Sequence, residues 1–286
     1  METILQVQNL TKQYPGFLLD HVSFSVPAGT IVGLIGENGA GKSTTIRAIL
    51  DLVHTDDGTI TLWAQTLRSN ARALKEQIGV VFDELHFYEG LTSRQVGKIS
   101  AAAYTQWDDA VYQSYLHRFA IPEEKSIKTF SKGMKMKLAL AVALSHHPKL
   151  LILDEPTGGL DPVMRDDLLD VLLDFVQDET HAILLSSHIT TDLEKIADYI
   201  VFLHNGKCLF ERPKDELLYQ FGIIRCGAAD MQRIDQKEVL AWRKCDYQWE
   251  VLVADREAAR RKYQNLVIDA PTIEQIMLLC VKGEPM

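Results

Sequence analysis

Composition and charge restrict the class to which this 286-residue chain belongs. Hydrophobic residues make up 47% of it, charged residues 24% and aromatic residues 8%, a balance typical of folded globular proteins and unlike disordered, collagen-like or disulfide-scaffold chains. The net charge of −9 argues against a general nucleic-acid binder, because such proteins hold phosphate backbones with an excess of lysine and arginine. The length predicts one large domain or two modest ones.

Apolar runs in the sequence are short. The longest, such as 138–144 and 150–153, stay far below the roughly 18 to 20 residues that a bilayer-spanning helix requires. The N-terminus begins acidic and lacks the basic start and apolar centre of a secretory signal. We therefore expect a cytosolic protein that does not cross a membrane.

Strand patterns dominate the first part of the chain. Segments 4–8 and 22–26 alternate in hydrophobicity, which suits a half-exposed antiparallel sheet, whereas 30–35 is almost continuously apolar and suits a buried parallel strand. A glycine-rich turn follows, then a helical pattern at 43–50 and another strand at 59–63.

A mostly helical block occupies about 85–145, and the capping-box pattern of Thr92 and Gln95 opens one of its helices. Strands return at 150–153, 182–185 and 199–203, each of the first two followed by a helical pattern. Strands that alternate with helices predict a parallel sheet with crossover connections.

The character of the sequence changes again beyond about 222. Segment 248–253 reads as a strand, and 271–276 opens a helix with Thr272 and Gln275 at capping positions. We predict a main domain over 2–222 and a small α+β accessory subdomain over 223–286.

The decisive motif follows the buried strand: Gly36 begins a complete G-x-x-x-x-G-K-[ST] pattern before a helix. Glycines let backbone N–H groups surround phosphate oxygens, and the helix N-terminus adds a favourable potential for an anion. Lys42 would reach the β and γ phosphates, and the Ser43 hydroxyl would bind Mg²⁺. The predicted nucleotide-binding residues of this loop are Gly36, Glu37, Asn38, Gly39, Ala40, Gly41, Lys42, Ser43 and Thr44.

Two acids end the apolar strand 150–153. Asp154 suits a partner for Mg²⁺, and Glu155, which should point elsewhere because strand side chains alternate, can orient and deprotonate an attacking water. Helix capping is the alternative explanation of such a pair taken alone.

The order of these motifs resembles the nucleotide-binding subunit of an ATP-binding cassette (ABC) transporter over residues 2–222. The matching segments are Tyr14, 36–44, 130–134, 150–156, 159–161 and 187–188. The resemblance implies an α/β P-loop NTPase cassette with an antiparallel β subdomain, a parallel-sheet core and a helical subdomain. It also implies ATP and Mg²⁺ as ligands and a chain that hydrolyses ATP.

Segment 130–134 resembles the family signature, usually LSGGQ, and here reads FSKGM. Ser131 is a good helix N-cap, so this helix end can bind an anion through its N–H groups. The family implies that two subunits pair head to tail, and that Ser131, Lys132, Gly133 and Met134 meet the ATP bound to the partner.

Three further residues take roles that the resemblance implies. His188 resembles the switch histidine that contacts the γ-phosphate, Asp161 would contact the opposite site across the dimer, and Tyr14 resembles the aromatic residue that stacks on adenine. A tyrosine in a turn before Pro15 is the alternative for Tyr14.

The sequence also departs from the family pattern. Asp83 stands where the family usually has a glutamine that touches Mg²⁺ or the water, so Asp83 is a candidate metal ligand with a shorter, charged side chain. The signature has Lys132 and Met134 in place of glycine and glutamine. In these departures and in its C-terminal extension, the chain resembles bacterial exporters of antibiotics, lipids or amphipathic peptides.

The sequence therefore predicts a Mg²⁺-dependent ATPase subunit that dimerises on ATP and drives a separate membrane permease. The second ATP-binding subunit is a copy of this chain or a related one, and the pair lies on the inner face of the cell membrane through the permease. One alternative is a soluble cassette protein acting on ribosomes or DNA, and a weaker one is a scaffold that binds nucleotide without hydrolysis.

Overall fold

Alternating and continuous apolar runs form different sheets in the folded protein. The computed structural model describes residues 2–83 and 87–283, without the side chains of residues 67–70. The strands are β1 (Thr3–Tyr14), β2 (Phe17–Pro27), β3 (Ile31–Ile35), β4 (Asp57–Leu62), β5 (Gln65–Thr66), β6 (Ile78–Val81), β7 (Leu150–Asp154), β8 (Ala182–Ser187), β9 (Tyr199–His204), β10 (Lys207–Pro213), β11 (Gly222–Cys226), β12 (Val239–Cys245), β13 (Gln248–Val253) and β14 (Val267–Asp269).

The α-helices connect these strands or cover them. They are α1 (Lys42–Ile49), α2 (Leu67–Lys75), α3 (Ser93–Ala103), α4 (Asp109–Arg118), α5 (Lys132–Leu144), α6 (Pro162–Phe175), α7 (Thr190–Ile196), α8 (Ala228–Met231), α9 (Arg256–Lys262) and α10 (Ile273–Lys282). Among the described residues, no helix is long and apolar enough to cross a membrane.

The central sheet has the strand order β10-β9-β3-β8-β7-β6, with β10 antiparallel to β9 and the other pairs parallel. Along β3, Val32 and Leu34 belong to the apolar cluster under the N-terminal sheet, whereas Ile31 and Ile35 belong to the cluster formed with the helices. Both faces are covered, which explains why the strand is apolar at nearly every position.

The N-terminal sheet is antiparallel, with the order β2-β1-β4-β5. The strand β1 extends to Tyr14, so this tyrosine ends a strand. The alternative explanation, a tyrosine within a turn, does not describe it. Pro15 and Gly16 make the turn: Gly16 has φ 83°, and proline followed by a glycine of positive φ is typical of a type II turn.

Helices α3, α4 and α5 form the helical block. The predicted capping box is confirmed, because Thr92 Oγ1 accepts from the Gln95 N–H at 3.3 Å and Gln95 Oε1 accepts from the Thr92 N–H at 3.0 Å. Tyr112 is fully buried in this block, and its hydroxyl donates to the Ser93 carbonyl at 2.6 Å. The predicted start of the block, near residue 85, falls on 84–86, outside the described residues.

A further antiparallel sheet, of order β12-β13-β11-β14, contains residues from Gly222 onward. The predicted strand 248–253 is confirmed as β13, and the predicted cap at Thr272 opens α10. Helix α10 packs on α7, and the Ile273 N–H donates to Glu194 Oε1 at 2.7 Å. Residues 284–286 of the predicted accessory subdomain lie outside the described residues.

Candidate functional site

The carboxyl ends of the central parallel strands meet at one edge of the sheet, where binding sites of such sheets lie. Strand β3 ends there just before the glycine-rich loop, and α1 begins immediately after that loop at Lys42. Gly39 (φ 83°) and Gly41 (φ 109°) adopt left-handed conformations that favour glycine. A Cβ atom on Gly36 would lie 2.5 Å from the Leu203 carbonyl oxygen, so the start of the loop also requires glycine.

Lys42 lies folded over this loop. Its ammonium donates to the Gly36 carbonyl at 2.8 Å and lies 3.2 Å from Glu155 Oε1, and the residue is only 6% exposed. A buried ammonium beside backbone N–H groups at a helix N-terminus is suited to phosphate oxygens.

Asp154 ends β7 and is 7% exposed. It is the register partner of Ser186 on β8, whose hydroxyl donates to Asp154 Oδ1 at 2.5 Å. The same hydroxyl accepts from the Glu155 N–H at 3.1 Å. Ser186 therefore fixes both acids, and the helix-capping alternative does not describe Asp154, because its carboxylate accepts from a neighbouring strand.

The backbone of Glu155 is left-handed, with φ 51°. This bend after the strand end sets the direction of the Glu155 side chain. The alternation of side chains along a strand, which the sequence predicted as the cause, does not set that direction. One carboxylate oxygen lies 3.2 Å from Lys42 Nζ, and the other lies 2.6 Å from His188 Nδ1 and accepts from the His188 N–H at 3.2 Å. Non-glycine residues with positive φ are uncommon and concentrate at functional sites.

These residues surround a cavity of about 510 Å³. Its lining residues are Phe17, Glu37, Asn38, Gly39, Gly41, Lys42, Ser43, Thr44, Asp83, Asp154 and Glu155. The described residues hold no cluster of three or more His, Cys, Asp or Glu that would form a metal site on its own. The hydroxyl of Ser43 and the carboxylates of Asp154 and Asp83 nevertheless fit Mg²⁺, which binds proteins through one or two carboxylates and completes its shell with phosphates and water.

The signature segment begins α5. Ser131 is the N-cap residue, as the sequence predicts, and its hydroxyl accepts from the Met134 N–H at 3.2 Å. Gly133 packs on α6, since a Cβ atom there would lie 2.3 Å from Met164 Sδ. Asp161 caps α6 by accepting from the Val163 and Met164 N–H groups at 3.1 and 3.0 Å. The signature residues and Asp161 are thus adjacent to each other.

Comparison with known proteins identifies the family. The model of the ABC transporter family matches residues 19–158. The bacitracin transport ATP-binding protein BcrA of Bacillus licheniformis is 36% identical over 220 residues, which cover 76% of this chain and 72% of that protein. The lantibiotic transport ATP-binding protein SrtF of Streptococcus pyogenes is 34% identical over 215 residues, or 74% and 92% of the two chains.

A solved ATP-binding subunit of an ABC transporter superposes with a TM-score of 0.69 at 32% identity, over 75% of this chain and 91% of that one. The chain belongs to the ABC transporter family. It is an ABC ATP-binding subunit and an ATPase, and the predicted cassette fold is confirmed.

One residue of this ABC subunit that sequence reasoning missed is Phe17. The hairpin turn places Tyr14 and Phe17 opposite each other in register, and the Phe17 ring lies where a Cβ atom on Gly41 would approach its Cζ to 3.1 Å. Among the described residues, Phe17 lines the phosphate-loop cavity and Tyr14 does not. Tyr14 is 37% exposed, with the Lys12 ammonium 5.5 Å from its ring centroid. An aromatic residue directly after a Pro-Gly turn was the available signal.

The C-terminal part of this ABC subunit also reaches the site. A second cavity, of about 440 Å³, is bordered by Glu37 and His188 on one side and by Met277, Leu278 and Val281 of α10 on the other. Sequence reasoning assigned no catalytic residue to the extension, because the apolar positions of a helix do not reveal what they pack against. Its last helix lies beside the histidine that contacts Glu155.

Proposed function

We propose that the chain hydrolyses Mg-ATP at this cavity and uses the reaction to drive a separate membrane permease. The observation that carries the proposal is the placement of Glu155, whose carboxylate lies between Lys42 Nζ at 3.2 Å and His188 Nδ1 at 2.6 Å. A carboxylate held between a phosphate-binding lysine and a histidine is suited to accept a proton from water beside a terminal phosphate.

The residues in and around the cavity then have separate roles. Backbone N–H groups of the loop from Gly36 to Thr44, together with Lys42, bind the phosphates, and the Phe17–Tyr14 hairpin contacts the base side of the nucleotide. Ser43 and Asp154, with Asp83, would hold Mg²⁺, which would neutralise phosphate charge when bound. Glu155 receives the proton of the attacking water, and His188 keeps that carboxylate oriented toward it.

The signature residues act on a second subunit in this proposal. Ser131, Gly133 and Met134 do not line the phosphate-loop cavity of their own chain, within the part the structure describes. The helix end that Ser131 caps presents N–H groups to an anion from outside. We propose head-to-tail pairing, in which this helix end meets ATP on the other subunit and Asp161 contacts the opposite site.

A permease partner is supported by the relatives, which are named as transport proteins. An apolar groove of about 570 Å³ lies beside the end of β6, lined by Leu50, Leu52, Phe82 and Tyr104 among others, and Leu52 is 60% exposed. We assign this groove to the permease, which would hold the subunit at the cytoplasmic face of the cell membrane. The predicted division into 2–222 and an accessory subdomain from 223 remains part of the proposal.

We propose export as the transport direction, in keeping with the resemblance of the sequence to bacterial exporters. BcrA is named for bacitracin transport and SrtF for lantibiotic transport. We therefore propose that the substrate is an antibiotic, lipid or amphipathic peptide, selected by the permease.

The test is the substitution Glu155→Gln, which keeps size and hydrogen bonding but removes the base. Hydrolysis, measured as phosphate release, should fall by about 100-fold or more, while ATP binding persists and ATP produces a stable dimer in size-exclusion chromatography. Normal turnover of this variant would exclude Glu155 as the base. An intact chain that binds ATP but never hydrolyses it would favour the scaffold alternative.

Purification from detergent-solubilised membranes separates the proposal from the soluble alternative. Recovery of a protein with several membrane spans supports the transport role. Recovery of ribosomes or DNA, which the net charge of −9 disfavours, would support the alternative.

A further inference from the structure

Two positions at which the chain departs from the family pattern meet in the folded protein. Lys132, in the signature, and Asp83, after β6, form an ion pair in which Lys132 Nζ lies 2.8 Å from Asp83 Oδ1. They are 49 residues apart in sequence, and each side chain is 48% exposed. The two departures together form a specific contact.

The ion pair joins a residue of the phosphate-loop cavity to a residue of the signature helix α5. Asp83 lines the phosphate-loop cavity together with Ser43 and Asp154. Lys132 is the first residue of α5, whose N-terminus is the proposed contact to ATP on another subunit. The lysine also lies near the segment after Glu155, since a Cβ atom on Gly159 would be 3.7 Å from its Nζ.

An ammonium and a divalent cation compete for the same carboxylate oxygens. While Lys132 holds Asp83, that carboxylate is partly neutralised and its Oδ1 is occupied by the ammonium, so it is a weaker ligand for a cation at Ser43 and Asp154. An exposed ion pair changes an equilibrium by no more than about fivefold, so a triphosphate, which forms stronger charge-assisted contacts, can displace it.

We propose that Lys132 is a positioning residue that withholds Asp83 from the divalent cation in the isolated subunit. When Lys132 moves to the terminal phosphate of ATP on a second subunit, Asp83 is released to the cation of its own site. This second step rests on the head-to-tail pairing proposed above, whereas the first concerns one chain alone. The ion pair thus couples arrival of the partner to completion of the metal site.

The first step can be tested without dimers by measuring Mn²⁺ affinity of the ADP-loaded chain by electron paramagnetic resonance. Lys132→Ala should bind Mn²⁺ about two- to fivefold more tightly than the natural chain, because Asp83 becomes free. Lys132→Arg, which keeps the charge, should match the natural chain. With Asp83→Asn already present, Lys132→Ala should give no gain.

Equal Mn²⁺ affinity in the natural chain and Lys132→Ala would overturn the proposal. So would the same gain in the Asp83→Asn background, because the lysine would then act only through its general charge. Lys135→Ala is the matched control: Lys135 lies on the same helix as Lys132, and its replacement breaks a 2.8 Å ion pair with Glu89, outside that helix, so Mn²⁺ affinity should stay unchanged.

The second step is tested by exchanging the charges, with Lys132→Asp and Asp83→Lys together in the Glu155→Gln chain. The exchange should restore any thermal stability lost in the single variants, but ATP-dependent dimerisation should remain at least tenfold weaker, since an aspartate then faces the incoming phosphate. Full recovery of dimerisation in the charge-exchanged chain would show that the ion pair only stabilises the fold, and would overturn the second step. If the Glu155→Gln chain itself forms no ATP-dependent dimer, head-to-tail pairing is refuted, and the Mn²⁺ measurement still decides the first step.

Discussion

The phosphate-loop region and the C-terminal region both bury charge, but they arrange it differently. Lys42 and Asp154, 6% and 7% exposed, line a cavity and are held there by neighbouring backbone or hydroxyl groups. Glu250, 7% exposed, is instead surrounded by Arg243 at 2.6 Å and Arg225 at 3.5 Å. Burial raises the pKa of Glu250, yet hydrogen bonding and charge from the arginines outweigh it and lower the pKa overall.

The difference separates two uses of a buried charge. A charge whose partners leave it facing a cavity is available to a ligand, whereas one neutralised by arginines within its own sheet contributes to stability. Function and stability should therefore respond oppositely to substitution in the two regions.

The largest expected effect is on function. Lys42→Ala should lower ATP hydrolysis by about 100-fold or more and weaken ATP binding, while the free energy of unfolding changes by about 1 kcal/mol or less. Phosphate release, nucleotide titration and urea unfolding measure the three quantities. Lys195→Ala, which removes a lysine paired with Asp166 at 2.9 Å on the surface, is the control and should match the natural chain. If Lys42→Ala binds ATP as tightly as the natural chain, the phosphates of ATP do not bind at Lys42.

The opposite response is expected in the C-terminal sheet. Glu250→Gln should lower the free energy of unfolding by about 2 kcal/mol, less than for a fully buried ion pair because Arg243 and Arg225 are 26% and 33% exposed. ATP affinity per folded chain should stay the same. Glu257→Gln, in an exposed pair with Arg260, should cost about 0.5 kcal/mol or less. A loss of ATP affinity in a stable Glu250→Gln chain would contradict the comparison.

A smaller effect is expected where the signature helix packs on α6. Gly133→Ala places a Cβ atom against Met164 Sδ, but the thioether is flexible, so the stability cost should be about 1 kcal/mol or less. The displaced Met164 side chain, beside the helix end that Asp161 caps, should weaken ATP-dependent dimerisation in the Glu155→Gln chain by about tenfold, measured by chromatography at graded protein concentrations. Gly227→Ala, with open space around it, is the control. Unchanged dimerisation would remove Gly133 from the interface.

The smallest effect is a pH dependence of stability. His146 is 1% exposed and stacks on Tyr104 with ring centroids 4.0 Å apart, and burial lowers its pKa. The unfolded chain therefore binds more protons at His146 than the folded chain does as the pH falls. The contribution of neutral His146 to stability is complete above the ordinary histidine pKa of about 6.5 and declines as the pH falls below it. Urea unfolding between pH 7.5 and about 5.5 should show a shallower decline in His146→Phe. Equal slopes would show that His146 does not titrate in this way.

Much of the cassette could be predicted from local patterns. The loop from Gly36 to Ser43, the acids Asp154 and Glu155 and the caps at Thr92 and Thr272 are encoded by neighbouring residues, and the structure places them in the expected elements. Local pattern is sufficient there because hydrogen bonds of loops and caps join residues close in sequence.

What could not be predicted depends on contacts distant in sequence. The ion pair of Lys132 with Asp83 and the approach of α10 to His188 join elements whose spacing carries no signal. The bend at Glu155 replaced strand alternation because the chain leaves β7 in a left-handed conformation. The edge strand at Val239–Cys245 was also missed, because its first four residues are all apolar, so the sequence does not show the alternation of buried and exposed positions that the fold has at 239–241.

The left-handed backbone of Glu155 has a consequence for engineering. Glycine adopts φ 51° at little cost, so Glu155→Gly relieves backbone strain of about 1 kcal/mol, while it removes the proton acceptor and its contacts to Lys42 and His188. A screen that selects variants of this chain for thermal stability alone therefore does not exclude inactive ones at this position. Stabilised variants must be screened for ATP turnover in the same round.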